Sequence, residues 1–142
     1  VSISTDVIVG FPGETEDEFN ETYEFLKRIK LTKTHVFKYS RREGTKAYSM
    51  ENQVDGNIKE QRSKILIELN EINEKEFIEK YLGKEVHVLI EQKVKNQDNV
   101  YEGYTKNYIK VKIKSCTQLE KGAIIPCIIT NCNSVEAIGK VK

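Results

Sequence analysis

The chain has 142 residues, of which 38% are hydrophobic and 32% charged, and its formal net charge is +1. That balance suits one ordinary folded domain or two small ones and excludes a disordered tail. No apolar run approaches the roughly 18–20 residues of a membrane span.

The opening "VSISTDVIVG" has no basic segment and no small-residue cleavage site, so it does not read as a signal peptide. It lacks an initiator Met and starts almost inside a strand, which reads as a piece of a longer protein. Ile3 to Val9 is the first expected strand, and its Val-Ile-Val run suits a strand covered on both faces, as in parallel sheets. Gly10-Phe11-Pro12-Gly13 stops it. Thr15 and Glu18 then form a capping box ahead of a helix whose apolar stripe is Phe19, Tyr23, Leu26 and Ile29. Acids crowd the start of that helix and Lys27, Arg28 and Lys30 its end, as the helix dipole favours.

"THVFKYS" is a second strand, so strand, helix and strand make a right-handed parallel βαβ unit. A polar loop, "RREGTKAYSMENQVDGN", leads into a long helix over about 58–81 with Ile58, Ile65, Leu66, Leu69 and Ile72 on one side and Gly83 at its end. From Glu85 the pattern changes to five short segments, "EVHVLIE", "VYEGYT", "YIKVKI", "AIIPCIIT" and "SVEAIGKV", separated by turn residues. Five strands at this spacing predict a small antiparallel barrel, with Ile109, Val111 and Ile113 inward and Lys110, Lys112 and Lys114 outward. The domain break falls near residues 76–84.

Charge divides along the same line. Residues 1–75 hold 12 Lys and Arg against 14 Asp and Glu, a net of −2, whereas residues 76–142 hold 11 against 8, a net of +3. Tyr104–Lys114 contains no acid, and an uneven charge of this kind points to an anionic partner for the second half.

The Gly-Phe-Pro-Gly-Glu turn has two readings. Glycines let a ligand approach bare main chain at the carboxyl end of a strand, where parallel α/β sheets bind ligands; equally, the turn is only a tight connection. It lacks the Gly-Lys-Ser/Thr ending of a phosphate loop. Glu14 serves either a ligand or the helix cap. His35 reads as a satisfied structural histidine, and His87 as a solvent-facing one. Cys116, Cys127 and Cys132 have C-x10-C-x4-C spacing, matching no zinc or iron–sulfur pattern, and read as reduced thiols of a cytoplasmic protein. No catalytic set emerges. Tyr101, Tyr104 and Tyr108 interleave with Lys106, Asn107, Lys110 and Lys112, either a solvated strand face or a surface where lysines meet phosphates and tyrosines stack on unpaired bases.

Together, "TDVIVGFPGET", "HVFKYSRREGTKA", "GKEVHVLIE" and "YEGYTKNYIKVKI" resemble the later part of the radical S-adenosylmethionine methylthiotransferases. The resemblance implies that residues 1–76 are the end of a radical domain, a partial TIM-like βα barrel. Residues 77–142 are then a small OB-like β-barrel, the TRAM domain, that binds RNA. Lys38 and Lys46 stand where the family commonly has proline. The closest branch is the one acting on threonylcarbamoyladenosine in tRNA, with the isopentenyladenosine and ribosomal-protein branches as alternatives, or a freestanding RNA-binding module.

By the same resemblance, Gly10, Phe11, Pro12, Gly13 and Glu14, with Tyr39 and Ser40, lie beside S-adenosylmethionine. Lys84, Tyr104, Lys106, Asn107, Tyr108, Lys110 and Lys112 contact tRNA. The intact enzyme carries S-adenosylmethionine and two 4Fe-4S clusters, whose ligands are expected upstream of this chain, leaving the chain alone inactive. Unpaired sheet edges are expected to drive self-association.

Overall fold

The computed structural model describes residues 2–133 and 135–142. The chain divides into two compact units, residues 3–73 and residues 74–142. One helix contributes to both.

The first unit opens with β1 (Ser4–Val9), followed by α1 (Glu16–Ile29) and β2 (Lys33–Lys38). The strands pair in parallel from Ser4↔Lys33 to Val9↔Lys38. The capping box forms as expected, with the Thr15 hydroxyl accepting from the Glu18 amide and the Glu18 carboxylate accepting from the Thr15 amide. The polar loop contains a 3-10 turn at Lys46–Ser49, where the Arg41 guanidinium lies over the Tyr48 ring and donates to the Tyr48 carbonyl. Next comes α2 (Gly56–Glu79). Val9, Phe19, Leu26, Leu66 and Leu69 form the core, with Val7, Tyr23, Leu31 and Val36 against it.

Two expectations need correction. The β1–β2 sheet is covered on one face only: Ile8 is 56% and Phe37 52% exposed, on the face they share with Asp6 and His35. His35 is therefore exposed, with Asp6 as its cross-strand neighbour, rather than a buried structural histidine. On α2 the buried side is Arg62, Ser63, Leu66, Leu69 and Asn73, while Ile58, Ile65 and Ile72 lie exposed. Burial there follows the polar cluster that Arg62 joins, not the richest run of isoleucines.

The second unit is a closed barrel of β3 (Glu85–Lys93), β4 (Val100–Thr105), β5 (Lys110–Lys114), β6 (Ile124–Cys132) and β7 (Ala137–Val141). The strands run in the order β3-β4-β5-β7-β6, with β6 closing on β3. The small five-stranded barrel is thus present, but it is not wholly antiparallel, because β5 and β7 pair in parallel. The expected start of the last strand at Ser134 lies outside the described residues. Inward residues alternate as the sequence implies: Val86, Val88, Ile90, Ile109, Val111 and Ile113 are buried, joined by Cys127, Ile129, Ala137 and, from α2, Ile78. Gly139 sits where a Cβ would lie 3.0 Å from both Cys127 Sγ and Val111 Cγ1, so the last strand packs closely through its lack of a side chain.

Candidate functional site

The Gly10–Glu14 turn closes β1 at its carboxyl end. Gly10 (φ +72°) and Gly13 (φ +88°) occupy the left-handed region that glycine adopts without strain. The Glu14 amide donates to the Phe11 carbonyl at 2.9 Å, and the Gly13 amide to the Asn52 carbonyl at 2.9 Å, so the polar loop pins the turn from outside. Pro12 is buried, whereas Phe11 is 44% exposed. The Phe11 ring meets the Tyr39 ring edge-on at 5.3 Å. The Tyr39 amide continues the sheet to the Val9 carbonyl at 2.9 Å, which draws the end of β2 onto the same rim. The Lys59 ammonium donates to the Tyr39 carbonyl at 3.3 Å and stands 5.7 Å from its ring. Ser40 is exposed beside it.

Glu14 has a structural occupation. Its Oε1 accepts from the Gly10 amide at 3.0 Å and from Arg62 Nη1 at 2.5 Å, and its carbonyl also accepts from Arg62 at 3.1 Å. Arg62 Nη2 reaches Glu16 at 3.1 Å, and the guanidinium lies 5.3 Å from the Phe19 ring centre. Sequence reasoning missed Arg62. Its only signal was helical spacing, since Leu66 and Leu69 follow it at i+4 and i+7 on one face.

The rim therefore presents bare glycine backbone and a half-exposed phenyl ring, and the Tyr39 hydroxyl and Arg62 Nε are buried there with no partner among the described residues. An exposed aromatic face and a spare hydroxyl fit the adenosyl part of S-adenosylmethionine. The ribose and purine of such a ligand need the same combination of apolar contact and hydrogen bonding.

The second candidate surface is the β4–β5 hairpin. At its tip the Thr105 hydroxyl donates to Asn107 Oδ1 at 2.7 Å and accepts from the Ile109 amide at 3.0 Å. These bonds hold Tyr108 at φ +63° with 82% of its surface exposed. Asn107 Nδ2 is buried without a partner. Lys106 is exposed, Tyr104 half-buried, and Lys84 exposed with its ammonium 5.8 Å from the Tyr81 ring.

Tyr101 departs from the expectation of an exposed stacking surface, since it is 5% exposed and points into the barrel. Two lysines are also less free than the acid-free stretch implied. Neighbouring strands bring Glu102 to Lys110 and Glu136 to Lys112, each at 2.9 Å. The Glu102 carboxyl is held below its ordinary value by the Gln92 amide and then by Lys110, and Lys110 is raised by the same contact. The cysteines stay free thiols, with burial pushing the Cys127 thiol up to about 11. Among the described residues no helix is long and apolar enough to cross a membrane.

No family model matches the chain. Curated proteins do. The chain is 46% identical over 116 residues to the threonylcarbamoyladenosine tRNA methylthiotransferase MtaB of Bacillus subtilis, covering 80% of this chain and 26% of that protein. It is 40% identical over 106 residues to the tRNA-2-methylthio-N(6)-dimethylallyladenosine synthase of Acetivibrio thermocellus, covering 75% and 22%. It is 35% identical over 144 residues to the ribosomal protein uS12 methylthiotransferase RimO of Clostridioides difficile, covering 98% and 32%. The chain thus spans about a fifth to a third of the length of these relatives. With three substrate branches matching across most of its residues, the chain belongs to the radical S-adenosylmethionine methylthiotransferase family.

Proposed function

We propose that this chain is the later part of a tRNA methylthiotransferase that replaces a hydrogen of threonylcarbamoyladenosine with a methylthio group. Residues 1–76 then serve as the end of the radical domain and residues 77–142 as a tRNA-binding TRAM barrel. The observation that carries the first assignment is the one-sided cover of the β1–β2 sheet. Both helices of the unit pack on the Val7, Val9 and Val36 face, and the opposite face is bare. A βα barrel has this construction, with helices outside and the inner strand faces around a central site. The branch rests on the 46% identity to the threonylcarbamoyladenosine enzyme. The dimethylallyladenosine and uS12 relatives support a second reading, in which the methylthio acceptor differs and the chain's roles stay the same.

S-adenosylmethionine and two 4Fe-4S clusters supply the radical and sulfur-transfer chemistry when bound to the intact enzyme. In this chain Gly10 and Gly13 let the cofactor approach main chain, buried Pro12 stiffens the turn, and Phe11 covers the adenine face. The Tyr39 and Ser40 hydroxyls bond its polar edge, and Glu14 holds the turn in shape through the Gly10 amide and Arg62. On the barrel, Tyr108 stacks on an unpaired base and Asn107 offers its unused amide. Lys84, Lys106, Lys110 and Lys112 neutralise phosphates, with Tyr104 beside them.

The test is nucleoside mass spectrometry of tRNA from cells lacking the intact protein. Loss of the methylthio mark on threonylcarbamoyladenosine alone supports the proposal. Loss on dimethylallyladenosine instead moves the chain to the other branch, and unchanged tRNA refutes both. We also propose that the isolated chain self-associates along the free edge of β1, where Ile3, Val7, Phe25 and Ile29 line a groove. A monomer by light scattering at millimolar concentration refutes that.

A further inference from the structure

The barrel unit holds a second concavity, apart from the hairpin tip, with a volume of about 510 Å³ at the end of β3 and the start of β4. Its floor is apolar: buried Ile90 and Tyr101 with half-buried Leu119. Its rim is polar and cationic. The side chains of Asn99 and Gln118 line it with those of Lys93 and Lys121, Gln92 lines it too but its amide nitrogen is engaged by Glu102, and no carboxylate is in the lining. Among the described residues the barrel's ion pairs engage Lys110, Lys112 and Lys142, and neither rim lysine is among them.

The arrangement is built by a register shift. Val86, Val88 and Ile90 face inward, so an unbroken β3 would send Lys93 outward. Instead Ile90 pairs with Gly103 and Gln92 with Glu102, leaving Glu91 as an extra residue. This bulge reverses the alternation and sets Lys93 opposite inward-facing Tyr101. Gly103 makes it possible, because a Cβ there would lie 2.0 Å from the Leu89 carbonyl oxygen. The facing wall, residues 115–122, is tied down at both ends. The Ser115 amide donates to the Asn99 carbonyl at 2.9 Å and the Gly122 amide to the Ile90 carbonyl at 2.8 Å. The Ser115 hydroxyl closes a turn onto Thr117.

We propose that this cavity is a ribonucleotide pocket that takes one unpaired base of an RNA strand. The base lies on the Ile90–Tyr101–Leu119 floor, the Asn99 and Gln118 amides meet its edge, and Lys93 and Lys121 hold the flanking phosphates. Amides offer donors and acceptors together, which a heterocycle edge requires, and the volume falls in the range of small-molecule sites. An acidic peptide needs only the cations and leaves the apolar floor unused. The inference rests on the reading of the barrel as a tRNA-binding part and adds a second contact to it.

Cys116, exposed on the rim, supplies the assay, with half-buried Cys132 as internal reference. Maleimide labelling of the whole chain is followed by mass spectrometry with a five-nucleotide oligoadenylate, with tRNA or with pentaglutamate present. The expected result is at least about fivefold slower labelling of Cys116 with either RNA, and an unchanged rate at Cys132. Replacing Lys93 and Lys121 together by Ala should remove the protection, weaken oligoadenylate binding about tenfold and lower the salt slope by about 1.4, from two lost phosphate contacts on a single strand. The charge-matched Lys80→Ala/Lys140→Ala variant keeps the protection. If RNA binds by fluorescence anisotropy while Cys116 reacts as before and the Lys93/Lys121 variant binds equally, the pocket is refuted and the tRNA reading stands. Equal protection by pentaglutamate also overturns it. Absence of any RNA binding overturns both.

Discussion

Replacing Arg62 by Met tests whether the candidate cofactor turn is held from behind by a buried ion pair. The Arg62 side chain is 6% exposed and that of Glu14 17%, so removing the cation strands a carboxylate with little access to water. Breaking a buried pair by deleting one partner costs about 3–5 kcal/mol. The contact with Glu16, whose side chain is 71% exposed, adds no more than about 1 kcal/mol. Against a total stability of roughly 5–15 kcal/mol for a domain, this is a large loss. Because the chain has two units, a single unfolding midpoint is a poor readout. Amide hydrogen exchange gives a local one. Gly10, whose amide is bonded to Glu14, should lose roughly 2–3.5 decades of protection, at about 1.4 kcal/mol per decade. Val88 in the barrel serves as reference. Glu14→Gln added to Arg62→Met should restore part of the loss, since the neutral amide still offers Gly10 an oxygen and no charge is stranded. A loss under about 1 kcal/mol, or strictly additive variants, would refute the reasoning.

The two glycines of the turn should respond differently. Gly13→Ala meets open space and bears only the left-handed strain, about 1–2 kcal/mol, whereas at Gly10 the new Cβ lies 2.1 Å from Lys59 Cγ, so amide exchange of the first unit should show a clearly larger loss of protection for Gly10→Ala. The barrel should weaken in acid. The Glu102 carboxyl is lowered by Gln92 and Lys110, so its stabilisation is complete above the ordinary glutamate value of about 4.3 and is lost as pH falls toward the folded value; Glu102→Gln should flatten that part of the pH–stability curve. Thiol titration at neutral pH should find Cys116 reacting first. Cys132, raised by burial and Glu79, should follow, and Cys127 should react only on unfolding.

Much of this was legible because it is local. Thr15 and Glu18 announce a helix start through three residues of spacing, and Ile109-x-Val111-x-Ile113 announces a barrel face through its alternation. What escaped depends on register and on distant partners. Glu102 and Glu136 reach Lys110 and Lys112 across strands, so the acid-free stretch misled. The bulge at Glu91 leaves no mark in a strand that reads equally well without it. Arg62 drew no reading because only tertiary placement gives it Glu14, and the Val-Ile-Val run hid the exposure of Ile8.

The position of β7 has a consequence for how the barrel comes into being. The barrel's last strand in chain order is threaded between β5 and β6, and its parallel partner β5 lies beyond an intervening strand in the chain. While a ribosome is still producing residues 137–141, the four earlier strands hold two unfilled edges, and no local hairpin can substitute for the missing one. Nascent chains stalled before β7 should therefore present unpaired hydrogen-bonding backbone and be captured by chaperones until residues 137–141 emerge and shut the ring.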